Sequence, residues 1–170
     1  PAGRGGSVGR LSWVGRVLGP AIRRLARGSG PAFPAATVAL LRDIDATFGV
    51  YRADSVLARV QRAEIAEPPV IGEVRARCLH WQQVTGGLFD PVRPDGTWDP
   101  SGLVKGWAAE RAFALLPGGL DWCLNAGGDV VVRGSFNVGI QDPRDPQGLS
   151  AVLILTDGAV ATSGTAARGA

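Results

Sequence analysis

The sequence has no methionine, one tyrosine and one histidine, and only one of its 18 basic residues is a lysine. Two cysteines, Cys78 and Cys123, cannot form a disulfide framework, nor a zinc site by themselves. The single histidine, His80, offers no Ser-His-Asp or Cys-His arrangement. It lies two residues from Cys78 in a helical pattern, on a different face, so a metal pair is not expected there. His80 reads as a packed or surface residue. No run of about 18 apolar residues occurs, so no membrane-spanning helix is expected. Every apolar stretch near the start is broken by arginine, which also leaves no secretory signal pattern.

What is present points to a folded domain. The 170 residues are 45% hydrophobic and 19% charged, which excludes wholesale disorder. A chain of this size can bury roughly 68–70% of its unfolded surface without staples. The net charge of +3 is unevenly spread. Arg4, Arg10, Arg16, Arg23, Arg24 and Arg27 face no acid before residue 31. Taking those six from 18 leaves 12 basic against 15 acidic residues. The rest of the chain is therefore acidic on balance, and a nucleic-acid partner is not expected.

Residues 1–34 read as a basic Gly/Arg-rich leader of poor order, and residues 35–170 as the domain. Leu11, Val14, Leu18, Ile22 and Leu25 recur at helical spacing, but Gly15, Gly19 and Pro20 oppose a stable helix. In the domain, Val38, Leu41, Ile44 or Asp45, and Phe48 predict a helix over 35–48, stopped by Gly49. Ser55 is placed to cap a short helix to about Arg62. A third helix is predicted over about 72–84, with Val74, Cys78 and Trp81 inward and Gly86-Gly87 as its stop. Asp99-Pro100-Ser101 marks the start of a fourth over 102–116, which carries Leu103, Trp107, Ala108, Phe113 and Leu115. After residue 120 the period shortens. WCLNAGG, DVVVRG, FNVGI, SAVLILT and GAVATS read as short strands divided by tight turns. The expected fold class is α+β: a helical N-terminal half followed by antiparallel strands.

Four stretches are candidates for chemistry. Ser101-Gly102-Leu103-Val104-Lys105-Gly106 places glycines and the only lysine at a helix start, where free N–H groups favour an anion. Gly106 costs about 1 kcal/mol against alanine there, so close packing or an approaching ligand is expected to account for it. A capped helix with an exposed lysine gives the same pattern. Asn125-Ala126-Gly127-Gly128-Asp129 allows close backbone approach, and equally reads as a hairpin turn. Thr85 to Pro91 (TGGLFDP) fits a helix stop and turn, and Ala161 to Gly164 a strand end. Asp90, Asp99 and Asp129 all lie in Gly/Pro-rich loops. Such aspartates usually form turns, but three beside glycine clusters can also make a polar pocket for a divalent cation.

Taken in order, these motifs resemble the FAD:protein FMN transferases, the ApbE-like flavin transferases. The resemblance rests on DATFGVYRADS at 45–55, TGGLFDP at 85–91, DPSGLVKGWAAERA at 99–112, LNAGGDVVVRG at 124–134, FNVGIQDP at 136–143 and AVATSG at 159–164. It implies an ApbE-like fold and transfer of the FMN half of FAD to a Ser or Thr hydroxyl of an acceptor protein, with release of AMP. FAD and magnesium are the implied substrate and ion. Tyr51, the tripeptide Leu88-Phe89-Asp90, Asp99 and Lys105 are the implied FAD contacts. Gly102 is the implied contributor to the metal site, through its backbone oxygen, and residues 125–129 would shape the pocket wall.

The sequence also departs from that family. Residues 1–34 lack the usual Ala-Met-Gly-Thr-like flavin contact, and the asparagine that usually follows the Asp-Ser helix appears as Gln61 or Arg62. A later His-x-x-Asp-Pro-x-Thr-Gly segment and an Asp-x-x-x-Thr metal cluster do not occur. The expectation is an ApbE-like domain incomplete at both ends, weak or inactive as a transferase. A non-catalytic FAD-binding remnant and a structural or interaction domain with a basic leader are the alternatives.

Overall fold

A computed structural model describes residues 10–16, 21–26, 34–145 and 147–162. Among these residues an opening pair of strands is followed by four helices and then five more strands. Helix α1 spans Ala35–Phe48, α2 Val56–Gln61, α3 Pro69–Val84 and α4 Ser101–Ala114. Strands β1 (Arg10–Arg16) and β2 (Ala21–Ala26) precede them. Strands β3 (Trp122–Ala126), β4 (Asp129–Arg133), β5 (Ser135–Gln141), β6 (Leu149–Thr156) and β7 (Ala159–Val160) come after. The helices-then-strands order matches the α+β expectation.

The opening strands correct the expectation for two stretches of residues 1–34. Arg10–Arg16 pairs antiparallel with Ala21–Ala26, and the latter pairs with β3, Ile22 opposite Ala126 and Ala26 opposite Trp122. The physical reason is non-local. The template is about a hundred residues away in the chain, and no local period reports it. The rest of that segment lies outside the described residues.

One antiparallel sheet runs β1-β2-β3-β4-β7, and β5 and β6 form a separate two-stranded sheet. The main core lies between the helices and the β3 face. Leu41, Ile44 and Phe48 of α1 meet Ile71, Val74 and Cys78 of α3, and Val104, Trp107, Ala108 and Ala112 of α4. Leu124 and Ala126 of β3 close it from the sheet side. The Phe48 and Trp107 rings meet edge to face at 5.8 Å, a favoured aromatic arrangement.

Local signals explain the helix ends. The Ser55 hydroxyl accepts the Ala58 N–H at 3.2 Å, the expected cap of α2. Pro69 opens α3 in the first turn, where its missing N–H costs nothing. Gly86 and Gly87, both at positive φ, turn the chain away after Thr85. One inward assignment does not hold: Trp81 is 47% exposed. In α3 the buried stripe is Ile71, Val74 and Cys78, and Trp81 lies at the edge of that stripe, where a groove begins.

Candidate functional site

Helix α4 organises the candidate residues, and its first two turns carry three distinct groupings. The first is at its start. The chain enters from a small hairpin in which Val92 bridges Trp98, the Arg93 N–H donates to Thr97 O at 2.9 Å, and Gly96 donates to Arg93 O. Pro94 pre-sets the turn and Gly96 supplies its positive φ. This hairpin brings Arg93 back onto Asp99. Nε and Nη2 of Arg93 both donate to Asp99 Oδ2, at 2.9 and 2.6 Å. The other oxygen, Oδ1, accepts the Ser101 N–H at 3.0 Å, one of the free donors of the helix start. Burial pushes the Asp99 carboxyl up. The Ser101 hydrogen bonds and then the Arg93 guanidinium outweigh that, and hold it below its ordinary 3.8. The Arg93 guanidinium is in turn raised, first by its hydrogen bond to Asp99, and weakly by Tyr51 nearby.

The second grouping faces the sheet. The expectation of an exposed lysine is corrected: the Lys105 side chain is only 17% exposed, and Nζ lies 3.5 Å from Asp129 Oδ2. The other Asp129 oxygen accepts the Thr162 N–H at 3.1 Å. Asp129 follows the Gly127-Gly128 turn between β3 and β4, so the hairpin reading of this stretch holds. Both glycines have positive φ, and Asn125 Oδ1 accepts the Gly128 N–H at 3.0 Å. A Cβ on Gly128 would collide with the Thr162 hydroxyl oxygen. The turn thus needs glycine twice over, for its φ and for space.

The third grouping faces α3. A groove of about 500 Å³ lies between the two helices, a usual size for a small-molecule site. Trp81, Phe89 and Trp107 line it, with Gly102 and Gly106 one helical turn apart along one side. A Cβ on Gly102 would sit 3.3 Å from the Phe89 ring, so those two implied site residues do meet. Nothing lies within 4 Å of a Cβ built on Gly106. Close packing therefore does not account for this glycine, and the face it leaves bare opens on the groove.

The remaining candidates are less engaged. Tyr51 is 83% exposed and Leu88 93% exposed. Asp90 is exposed and accepts from Gln82 Nε2 and from the Val92 N–H. Its role in the fold is the turn into the Arg93 hairpin. Gly102 sits in the first turn of α4, where its carbonyl belongs to the helical ladder. Among the described residues no group of three or more His, Cys, Asp or Glu is placed to hold a metal ion. The Gly102 carbonyl and an Asp99 already holding three N–H donors do not make the near-octahedral oxygen shell magnesium requires. His80 is exposed against Trp81, and Cys78 is buried with its thiol pushed up to about 11 by that burial, so neither joins the site.

Sequence reasoning missed Arg93. Its signal was the Pro-Asp-Gly turn at 94–96, which folds the chain back six residues later onto Asp99. It placed Asp129 on the pocket wall but did not see it as the partner of Lys105.

A family model described as the ApbE family matches residues 92–170, the part that holds Arg93, α4 and the sheet hairpins. No curated protein matches. Among solved structures, the chain is similar to the flavinyl transferase ApbE of Pseudomonas stutzeri in its apo form. The TM-score is 0.65 at 18% identity, over 96% of this chain and 70% of that one. The fold is the ApbE fold, and the resemblance read from the motifs is borne out.

Proposed function

We propose that this chain binds FAD around the first two turns of α4 and serves the transfer of its FMN half to a Ser or Thr hydroxyl of an acceptor protein. The observation that carries the reading is Lys105. The only lysine of the chain is largely withdrawn from water, held beside Asp129, and lies within the stretch the ApbE family model matches. A lysine kept for solubility would sit on the surface. An ammonium at a helix start is a compact donor suited to the charge of a diphosphate.

The remaining residues have matching tasks. Asp99, held ionised, accepts hydrogen bonds only, which suits ligand hydroxyls. The groove beside Phe89 and Gly102 has aromatic walls for a flat ring. In the reaction, the acceptor hydroxyl oxygen forms a bond to the FMN phosphorus. The anhydride bond to the AMP phosphate breaks, and the hydroxyl proton leaves to solvent. Such a transfer asks the protein chiefly for positioning and charge neutralisation. The described donors do not fit magnesium, so no step is assigned to it.

That same donor count favours a second reading, an FAD-binding module without turnover of its own. One experiment separates the two. The full chain is incubated with FAD, magnesium and a threonine-bearing acceptor peptide, then examined by mass spectrometry. Added FMN mass on the peptide supports transfer, and FAD binding without it supports the module. Absence of both removes the FAD reading altogether.

A further inference from the structure

We infer that Arg93 is a positioning residue for the ligand of this site: it occupies Asp99 Oδ2 so that Asp99 meets the ligand through Oδ1. The inference rests on the reading that Asp99 contacts FAD. An ionised carboxylate offers about four acceptor positions, two on each oxygen. Arg93 Nε and Nη2 fill both on Oδ2, and the Ser101 N–H fills one on Oδ1. What remains for a ligand lies on Oδ1, beside the Ser101 hydroxyl, which can rotate to admit it, so the approach has a fixed direction. The carboxylate is only 15% exposed, so it does not rotate freely into water. Arg93 itself is 50% exposed and sits on a hairpin outside the helical core, so its work is not packing. Without Arg93 the carboxylate keeps only Ser101 as a tether, and its free acceptor positions on Oδ2 point in several directions. Preorganisation of this kind lowers the ordering cost of binding.

The test is calorimetric titration of the full chain with FAD. Arg93→Gln removes the charge and the two-pronged grip, and affinity is expected to fall about tenfold, the scale of a charge-assisted hydrogen bond. Arg93→Lys restores the charge with one point donor and is expected to recover part of that loss. In an Asp99→Asn background the Arg93→Gln change is expected to alter affinity by less than about twofold, because a residue that acts through another loses its effect with it. Thermal unfolding of Arg93→Gln and Arg93→Lys is expected to stay close to the wild-type midpoint, which a structural role for Arg93 would not allow. Wild-type affinity in Arg93→Gln, or an equal loss in the Asp99→Asn background, overturns the inference and leaves the FAD reading standing. If the wild-type chain does not bind FAD, both fall together.

Discussion

Hairpins β3–β4 and β5–β6 are built alike and used differently. In β3–β4 the burial alternates along both strands: Val130 and Val132 turn away from the helices, against Phe136 of β5, and Trp122, Leu124 and Ala126 share the helix side with Val131 and Asp129. That face packs on α4 and carries Asp129 to Lys105. In β5–β6, eight residues of β6 run with almost no burial. Leu149 is 60% exposed, Val152 55% and Ile154 74%. The same Val/Ile-rich composition makes a strand in both places. What differs is whether a helix lies against the face. The hairpin that has one places a carboxylate beside a lysine, and the other is anchored mainly by Phe136 of β5 against Val130 and Val132 while β6 stays exposed.

Removing a side chain on each hairpin should break that contrast most visibly. Leu124→Ala, at a fully buried site, is expected to cost about 2–5 kcal/mol in denaturant unfolding. Ile154→Ala, on the exposed strand, is expected to stay within about 0.5 kcal/mol of wild type. Equal losses would mean that β6 is covered in solution.

The next effect is on binding. Lys105→Ala is expected to lose about 1.5–3 kcal/mol of FAD affinity, the range for hydrogen bonds to charged groups. Stability should fall by a smaller amount, because Asp129 keeps the Thr162 N–H. An unchanged FAD affinity would reduce Lys105 to the partner of Asp129.

Gly128→Ala addresses the hairpin tip alone. The left-handed φ and the collision with Thr162 are expected to cost about 1–2 kcal/mol, read as a lower unfolding midpoint. No such loss is expected for Gly106→Ala, whose Cβ meets nothing. A gain of up to about 1 kcal/mol in stability together with weaker FAD binding would show what the bare face is for.

The smallest effect is in pH. Asp99 is held below its ordinary 3.8 in the folded state, so it adds stability above that value and loses it as pH falls through the lower, folded one. Asp99→Asn should therefore lower the neutral plateau by that contribution and flatten the fall in stability below about pH 4. A wild-type slope in the variant would assign the acid loss to other carboxylates.

Much of this was legible in the sequence because it is local. Phe48 and Leu41 at helical spacing, Ser55 before α2, and the Gly127-Gly128 turn each state their structure within a few residues. Strands β1 and β2 did not, since β3 specifies them from far along the chain. Trp81 read as core because it continues the α3 stripe. The structure leaves it at the groove, where α4 offers glycines instead of side chains to cover it. Lys105 was legible as a candidate but not as a partly covered one, because its partner Asp129 comes from the distant β3–β4 turn. Arg93 carried no motif signal, only a turn that happens to close on Asp99.

The account stands on FAD being held at the start of α4 through its diphosphate. Parallel calorimetric titrations of the full chain with FAD, FMN and AMP measure this directly, in wild type and in Lys105→Ala. The account predicts that FAD binds more tightly than either half, and that Lys105→Ala removes most of that advantage. Equal, weak binding of all three, indifferent to Lys105, would contradict it.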